Sequence, residues 1–314
     1  MTVGLPPPVW RDVLAAAEVA RSVPAAEDLA GALYRRWYLG GGEVHRPPMA
    51  VGVPTPAQIN LLDALRAAHV DTGRWAEGWR VRSVSSRGRV LAAAGADRER
   101  VLHRVDVLPT ARPCLPPRAG DSVRVTARRD FLDDEGGFWF AVGGEWDESA
   151  LPPDLVRVYW HLARAGSPAF VHHLTRALDA GGVPHSLKVA CADPPLDRPD
   201  GAVLYVEARH ADAALAASAR TRPAVAAHLR PAVPRLALEL APGVGVAEEP
   251  GTGESFGQHR CSLVAGALAG PSSAHRSLEE SAAAVLAAFA SAGIDTARPH
   301  LRPGSAREYA WPSP

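Results

Sequence analysis

From Trp79 to about Val142 the chain is cut into short stretches in which apolar and polar residues alternate: WRVRSV, GRVLAA, DSVRVTA and GFWFAV, each bounded by glycine, aspartate or proline. A period of two sends successive side chains to opposite sides of an extended backbone, so this pattern selects half-buried antiparallel strands. DDEGG before Phe138 supplies a hairpin turn. The chain on either side follows different rules. Ahead of the strands the spacing predicts helices over Trp10 to Ala20, Ala25 to about Tyr38, and a third opened by Thr55 as N-cap with Pro56 in the first turn, running to about Val70. In that third helix Ile59, Leu61, Leu62 and Leu65 define one apolar face. The Gly/Pro-rich connector LGGGEVHRPP separates the second helix from the third.

Beyond the linker-like EWDESALPPD, strands and helices alternate. VRVYWHL, SLKVACA, GAVLYVEA and LALEL read as strands; Pro168 to Ala180, about Asp212 to Leu229, a segment from about Gln258, and about Leu278 to Ala292 read as helices, with Pro242 to Gly257 a long loop. The class is α+β, with a mixed or antiparallel sheet packed by helices. Two lobes are expected: residues 1–149, helical with β-hairpins, and residues 150–314.

Charge narrows the function classes. With 34 basic and 34 acidic residues the formal net charge is zero, which argues against a nucleic-acid binder, since such a protein needs a basic excess against phosphates. The three cysteines, Cys114, Cys191 and Cys261, are widely spaced and odd in number; they signal neither a disulfide framework nor a zinc site and read as small buried residues. No charged segment leads into an apolar run at the N-terminus and no window reaches the length of a membrane span, so a soluble cytoplasmic protein is expected. Heavy use of alanine, arginine, proline and glycine suggests a GC-rich coding bias of the actinobacterial kind. Against that bias Lys188 stands out: it is the only lysine, and arginine fills the other 33 basic positions. Arginine holds its proton at any ordinary pH, whereas burial or neighbouring cations can turn a lysine amine into a base. A lysine retained by chance or as an ion-pair partner is the plain alternative.

Most familiar motifs fail on context. Gly253-Glu254-Ser255-Phe256-Gly257 matches GxSxG, but the five residues Glu248 to Thr252 separate any strand from the motif, so a nucleophile elbow is not expected. The segment reads better as a Gly-rich loop whose helix N-terminus can hold an anion, with Arg260 one turn inside, or as an ordinary cap with Ser255 as N-cap. His172 and His173 are adjacent, project about 100° apart on a helix and cannot chelate one ion together, and no HExxH occurs. No metal is expected. No P-loop or dinucleotide fingerprint is present. The tryptophans read as core.

The strongest constellation is PHSLKVACADPPLDRPDGAVLYV. If the strands on either side of its turn pair as a hairpin, Lys188, Arg198, Asp200 and Tyr205 converge at one end of a sheet. Lys188 then shares a face with Ser186 and Ala190, small neighbours that leave room for a ligand. A structural Arg198–Asp200 turn beside a buried tyrosine is the other reading.

This window, together with ESFGQHRCSLVAGAL from Glu254 to Leu268 and GIDTARPHLRPGS from Gly293 to Ser305, resembles the Hop-type plant-pathogen effector-like domain, as in the lyase component of class V lanthipeptide and thioamitide biosynthesis. The resemblance covers the chain from about Arg157 onward. Where the family is expected to carry an aromatic, this chain has His185 and His300, which read as packing substitutions. The resemblance implies a lyase that eliminates phosphate from phosphoserine or phosphothreonine of a ribosomal precursor peptide, leaving dehydroalanine or dehydrobutyrine. A biosynthetic kinase and the precursor peptide would be its partners, with no cofactor, nucleic acid or membrane involved. In that chemistry Lys188 is the base and Tyr205 or His172 the acid. Arg198 and Arg260, with the Ser255 to Gly257 amides, hold phosphate, and Asp200 orients Arg198. The alternative is a non-catalytic module that presents the peptide to the kinase; an effector acting on a host protein is a weaker third.

Overall fold

A computed structural model of the protein describes residues 7–24, 27–40, 55–70, 75–86, 88–95, 98–103, 107–113, 115–126, 130–133, 137–144, 146, 152–192, 197–269 and 276–312. Two compact units emerge, one formed by residues 71–130 and the other by 1–70 together with 131–314. The smaller unit is the patterned β region: β1 (Trp75–Val84), β2 (Arg89–Ala94), β3 (Arg98–His103), β4 (Val107–Pro109) and β5 (Ser122–Thr126). They form an antiparallel sheet in the order β3-β2-β1-β5-β4. Its core is Trp79, Val81, Val90, Ala92, Leu102, Val107, Val123 and Val125.

The larger unit holds the helices α1 (Pro7–Ser22) and α2 (Leu29–Leu33), the latter running into a π-helical turn over Tyr34–Tyr38, and α3 (Pro56–Ala68). Thr55 caps α3 as expected, its hydroxyl accepting from the Gln58 amide at 3.2 Å. Then come β6 (Asp130–Leu132), β7 (Phe138–Gly143), β8 (Leu155–Trp160), α4 (Ser167–Ala180), β9 (His185–Ala190), β10 (Ala202–Glu207), α5 (Ala211–Val225), β11 (Leu238–Ala241), β12 (Val244–Glu248), α6 (Phe256–Leu268) and α7 (Leu278–Ser291). The strands form one sheet in the order β11-β12-β8-β10-β9-β7-β6.

Two differences from the sequence reading have physical causes. No boundary falls near residue 150, because β7 pairs with β9 along Phe138↔Ala190 to Gly143↔His185 and so completes the sheet of the C-terminal part. The stretch 242–257, expected as loop, contains β12, a fully buried strand paired on both sides, with β11 and with β8. Gly245 obscured it. A Cβ there would stand 3.1 Å from the Val233 side chain, so close approach of a loop, rather than strand propensity, sets that position. In α3, Leu61, Leu62 and Leu65 are buried but Ile59 is 43% exposed.

The seven-stranded sheet is covered on both faces, and strand alternation assigns each residue to one of them. Val156, Val158 and Trp160, Leu187 and Val189, and Leu204 and Val206 pack beneath Phe170, Leu174 and Leu178 of α4 and Leu215 and Val225 of α5. On the opposite face Tyr159, Val203 and Ala247 meet Val13 of α1, Leu33 of α2, Phe256 and Val264 of α6, and Val285 and Phe289 of α7. Each buried large aliphatic or aromatic side chain contributes about 1.5–3 kcal/mol.

Candidate functional site

The second face carries nearly all the polar chemistry of the central strands. Arg157 and Tyr159 on β8, Ser186 and Lys188 on β9, and Tyr205 on β10 alternate with the core residues just named. The expected hairpin forms: β10 pairs with β9, placing Val203 opposite Lys188 and Tyr205 opposite Ser186. On its other side Tyr205 stands opposite Arg157. Tyr205 is therefore a diagonal neighbour of Lys188, within reach of long side chains across the sheet.

Lys188 is partly buried, and its Nζ lies 3.6 Å from the centroid of the Phe138 ring, a cation–π contact. Its amine makes neither a hydrogen bond nor an ion pair with any described residue. Burial, reinforced by the Arg198 and Arg157 cations and opposed by Asp200, lowers its pKa to about 8. The guanidinium of Arg198 sits 5.0 Å from the same Phe138 ring. Arg198 and Asp200 are both buried and joined by two hydrogen bonds, Nη2 to Oδ2 at 2.7 Å and Nε to Oδ1. Burial works against ionisation of Asp200, but Arg198 and then Lys188 outweigh it and hold the carboxyl below the usual carboxylate range. Arg157 forms the second pair: its Nε donates to Glu249, and its guanidinium lies 5.0 Å from the Tyr205 ring centroid. Three cations thus face two carboxylates. Burial first, then Asp200 and Glu249, raises the Tyr205 phenol above its ordinary range, so it keeps its proton at neutral pH.

Tyr34, which no local pattern singles out, joins the group from the helical layer. Its phenol is raised chiefly by burial and next by the charge of Asp200, and it is a close electrostatic neighbour of Arg198. The π-helical turn stacks Tyr34 on Tyr38 at 5.3 Å between centroids, and the Tyr38 hydroxyl lies 3.4 Å from that of Tyr159. Single π-turns of this kind recur at functional sites.

The remaining sequence-selected residues lie elsewhere. His172 is on α4, whose apolar side covers the first face, so the sheet separates it from Lys188; it cannot serve as the acid. Its ring stands against His173 at 5.3 Å. Arg260 is fully buried, and most of its donors are engaged: Nε and Nη2 donate to the Pro299 carbonyl at 3.1 and 3.0 Å, Nη2 also to that of Leu301 at 2.8 Å, and Nη1 lies 2.7 Å from His259 Nδ1. It ties α6 to the chain at 299–301 and is not presented to a phosphate. Ser255 caps α6 in a reciprocal box with Gln258, at 3.3 and 3.1 Å, which is the ordinary-cap reading. Gly257 has a different use. A Cβ there would lie 2.4 Å from Tyr38 and 2.8 Å from Tyr34, so its missing side chain is what lets the tyrosine pair seat against α6. His185 and His300 are buried, as packing positions would be, and burial lowers His300 to about 4. Cys191 and Cys261 are buried; Cys114 and residues 134–136 of the DDEGG turn lie outside the described residues. Among the described residues no cluster of histidine, cysteine or carboxylate side chains is arranged to hold a metal, and no helix is long and apolar enough to cross a membrane.

The polar face therefore lies inside a segment that can be compared with known families. The HopA1 effector protein family model matches residues 133–301, more than half of the chain. The chain belongs to that family. Its match takes in β7, β9, β10 and α6, and with them Lys188, Arg198, Asp200, Tyr205 and Arg157. Among solved structures, this HopA1-family chain is similar to the effector protein from Pseudomonas syringae pv. tomato strain DC3000, with 15% identity and a TM-score of 0.54 over 94% of this chain and 97% of that one. The effector protein from Pseudomonas syringae pv. syringae strain 61 is similar in the same way, with 16% identity and a TM-score of 0.52, over 94% and 97%. At such identities the likeness is one of fold. No curated protein sequence matches the chain.

Proposed function

We propose that this HopA1-family protein is a carbon–oxygen lyase that eliminates phosphate from phosphoserine or phosphothreonine in a ribosomal precursor peptide, working in the cytoplasm after a biosynthetic kinase of the class V lanthipeptide type. The observation that supports it most is Lys188: a lysine amine with a pKa lowered to about 8, lacking an ion-pair partner among the described residues, beside two arginines and a protonated phenol. In the reaction the amine takes the Cα proton, the Cα–Cβ double bond forms as the Cβ–O bond breaks, and phosphate departs. Each group needed for that sequence is within the cluster. A base with a pKa near 8 is about one-tenth neutral at pH 7, sufficient for general-base catalysis. Arg198 and Arg157 stabilise the phosphate, with Asp200 and Glu249 fixing the two guanidinium planes. Tyr205 or Tyr34 donates to the leaving oxygen.

Mass spectrometry of a phosphothreonine peptide incubated with the protein alone tests the reading. Loss of the elements of phosphoric acid is expected, with a rate that climbs as pH rises toward 8 and the amine loses its proton. Lys188→Arg keeps the charge and removes the base, and should slow elimination by about 10²–10⁴-fold. An unchanged rate in that variant refutes the assignment. A second reading draws on the two arginines being already engaged by carboxylates: a non-catalytic module that binds the peptide for the kinase. It predicts intact phosphopeptide and tighter kinase binding in the same assay.

A further inference from the structure

The zero net charge of the chain conceals a division. Residues 71–130 contain thirteen arginines and seven acidic residues, a formal excess of six positive charges, and the larger unit carries the matching excess of six negative charges. Within the small sheet, Arg80 and Arg82 on β1 and Arg89 on the adjacent β2 are exposed, and none of the three pairs with a carboxylate among the described residues. Among the described residues, Arg80 donates to the Gly120 carbonyl, at 3.1 Å. The ion pair between described residues of this unit is Arg112 with Asp121, at 2.5 Å. In the larger unit, by contrast, Arg35, Arg36, Arg157, Arg198, Arg230 and Arg235 each face a carboxylate.

We propose that the β1–β2 hairpin of the smaller unit is a docking surface for an acidic, phosphate-bearing segment of the peptide substrate. The proposal rests on the phosphopeptide reading above and adds where the rest of that peptide is held. Arginines on neighbouring strands that no described carboxylate neutralises match a chain bearing several phosphates, because each guanidinium can take a phosphate through paired hydrogen bonds. The sheet also ends in β3, an edge strand whose Val101 is 62% exposed, giving an extended peptide an apolar foothold beside the charges. A nucleic acid fits less well. Of the two tryptophans in residues 71–130, Trp79 is only 5% exposed and offers no open face for stacking bases.

Fluorescence polarisation of the full chain with a labelled peptide carrying several phosphoserines tests this. Arg80→Glu with Arg82→Glu and Arg89→Glu should weaken binding by about tenfold or more, and the wild-type affinity should fall steeply with added salt. Lysine at the same three positions keeps the charge and should restore most of the affinity, which separates lost charge from lost folding. Elimination from a short peptide with a single phosphothreonine should be the same in all three proteins. Equal binding by the glutamate variant overturns the proposal, as does a lysine variant that binds as poorly as the glutamate one. Single-stranded RNA or anionic phosphatidylserine vesicles binding more tightly than the peptide through the same arginines would overturn it too. If the wild type eliminates nothing from the short peptide, the lyase reading fails, while the polarisation series still decides the docking surface.

Discussion

Leu187 and Lys188 are consecutive residues of β9, yet they live in opposite environments. Leu187 points into the face beneath α4 and α5 and is fully buried among aliphatic and aromatic side chains. Lys188 points into the other face, against Phe138, near the Arg198–Asp200 pair. One face gains stability from every side chain it hides. The other concentrates three cations, two carboxylates and several phenols where water is scarce, an arrangement that disfavours the charged amine while adjusting its proton affinity. Alternate side chains thus serve packing alone on one side of the sheet and packing together with chemistry on the other, so Leu187 and Lys188, neighbours in sequence, should respond to substitution in opposite ways.

The largest stability effect should come from Asp200→Asn, which leaves Arg198 buried without its counter-ion. Removing one partner of a buried pair costs about 3–5 kcal/mol, read as a fall in the urea midpoint with unchanged slope. A milder loss would mean that the polar face is wetter than its burial indicates. Leu187→Ala should cost about 2–4 kcal/mol through the cavity it leaves on the apolar face. Its neighbour should behave in reverse. Lys188→Met removes a cation that folding disfavours and, because the partly exposed amine keeps some of its hydration, should stabilise the protein by only about 2 kcal/mol at pH 7, while abolishing elimination. The sign follows from the direction of the shift: the folded pKa, about 8, lies below the unfolded value. Below pH 8 both states are protonated and the folded state carries the whole penalty; between 8 and the unfolded pKa the folded state releases its proton first, and the advantage of the methionine variant disappears. Thermal unfolding of both proteins across pH 6 to 11 measures this. The smallest effect belongs to His172→Ala, which should change elimination less than about twofold, since the residue lies behind the sheet. A large loss there would break the two-face division.

Much of this was legible without coordinates because it depends on nearest neighbours. The cap at Thr55, the helix over 167–180 stopped by glycines, the strands around Lys188 and Tyr205, and their hairpin pairing are written in local periodicity and turn residues. Residues whose roles depend on distant chain were misread or missed. Arg260 looked like a phosphate ligand because it follows a glycine-rich helix start, but carbonyls about forty positions later take its Nε and Nη2 donors. Tyr34 carries no local signal; it reaches the site only because Gly257, more than two hundred residues away, leaves space for its ring. The basic excess of residues 71–130 was hidden by totals taken over the whole chain, and only the division into compact units brings it out.

By itself, then, the sequence determined the α+β class, most of the elements, the singularity of Lys188 and the hairpin that carries it beside Arg198, Asp200 and Tyr205, since alternation and turn chemistry act over a few residues. The tertiary structure alone decided on which side of the sheet each candidate lies and which arginines are already engaged. It also set the depth of burial that brings the lysine amine near neutrality. Those properties come from packing and desolvation by chain far away in sequence, and no local pattern encodes them.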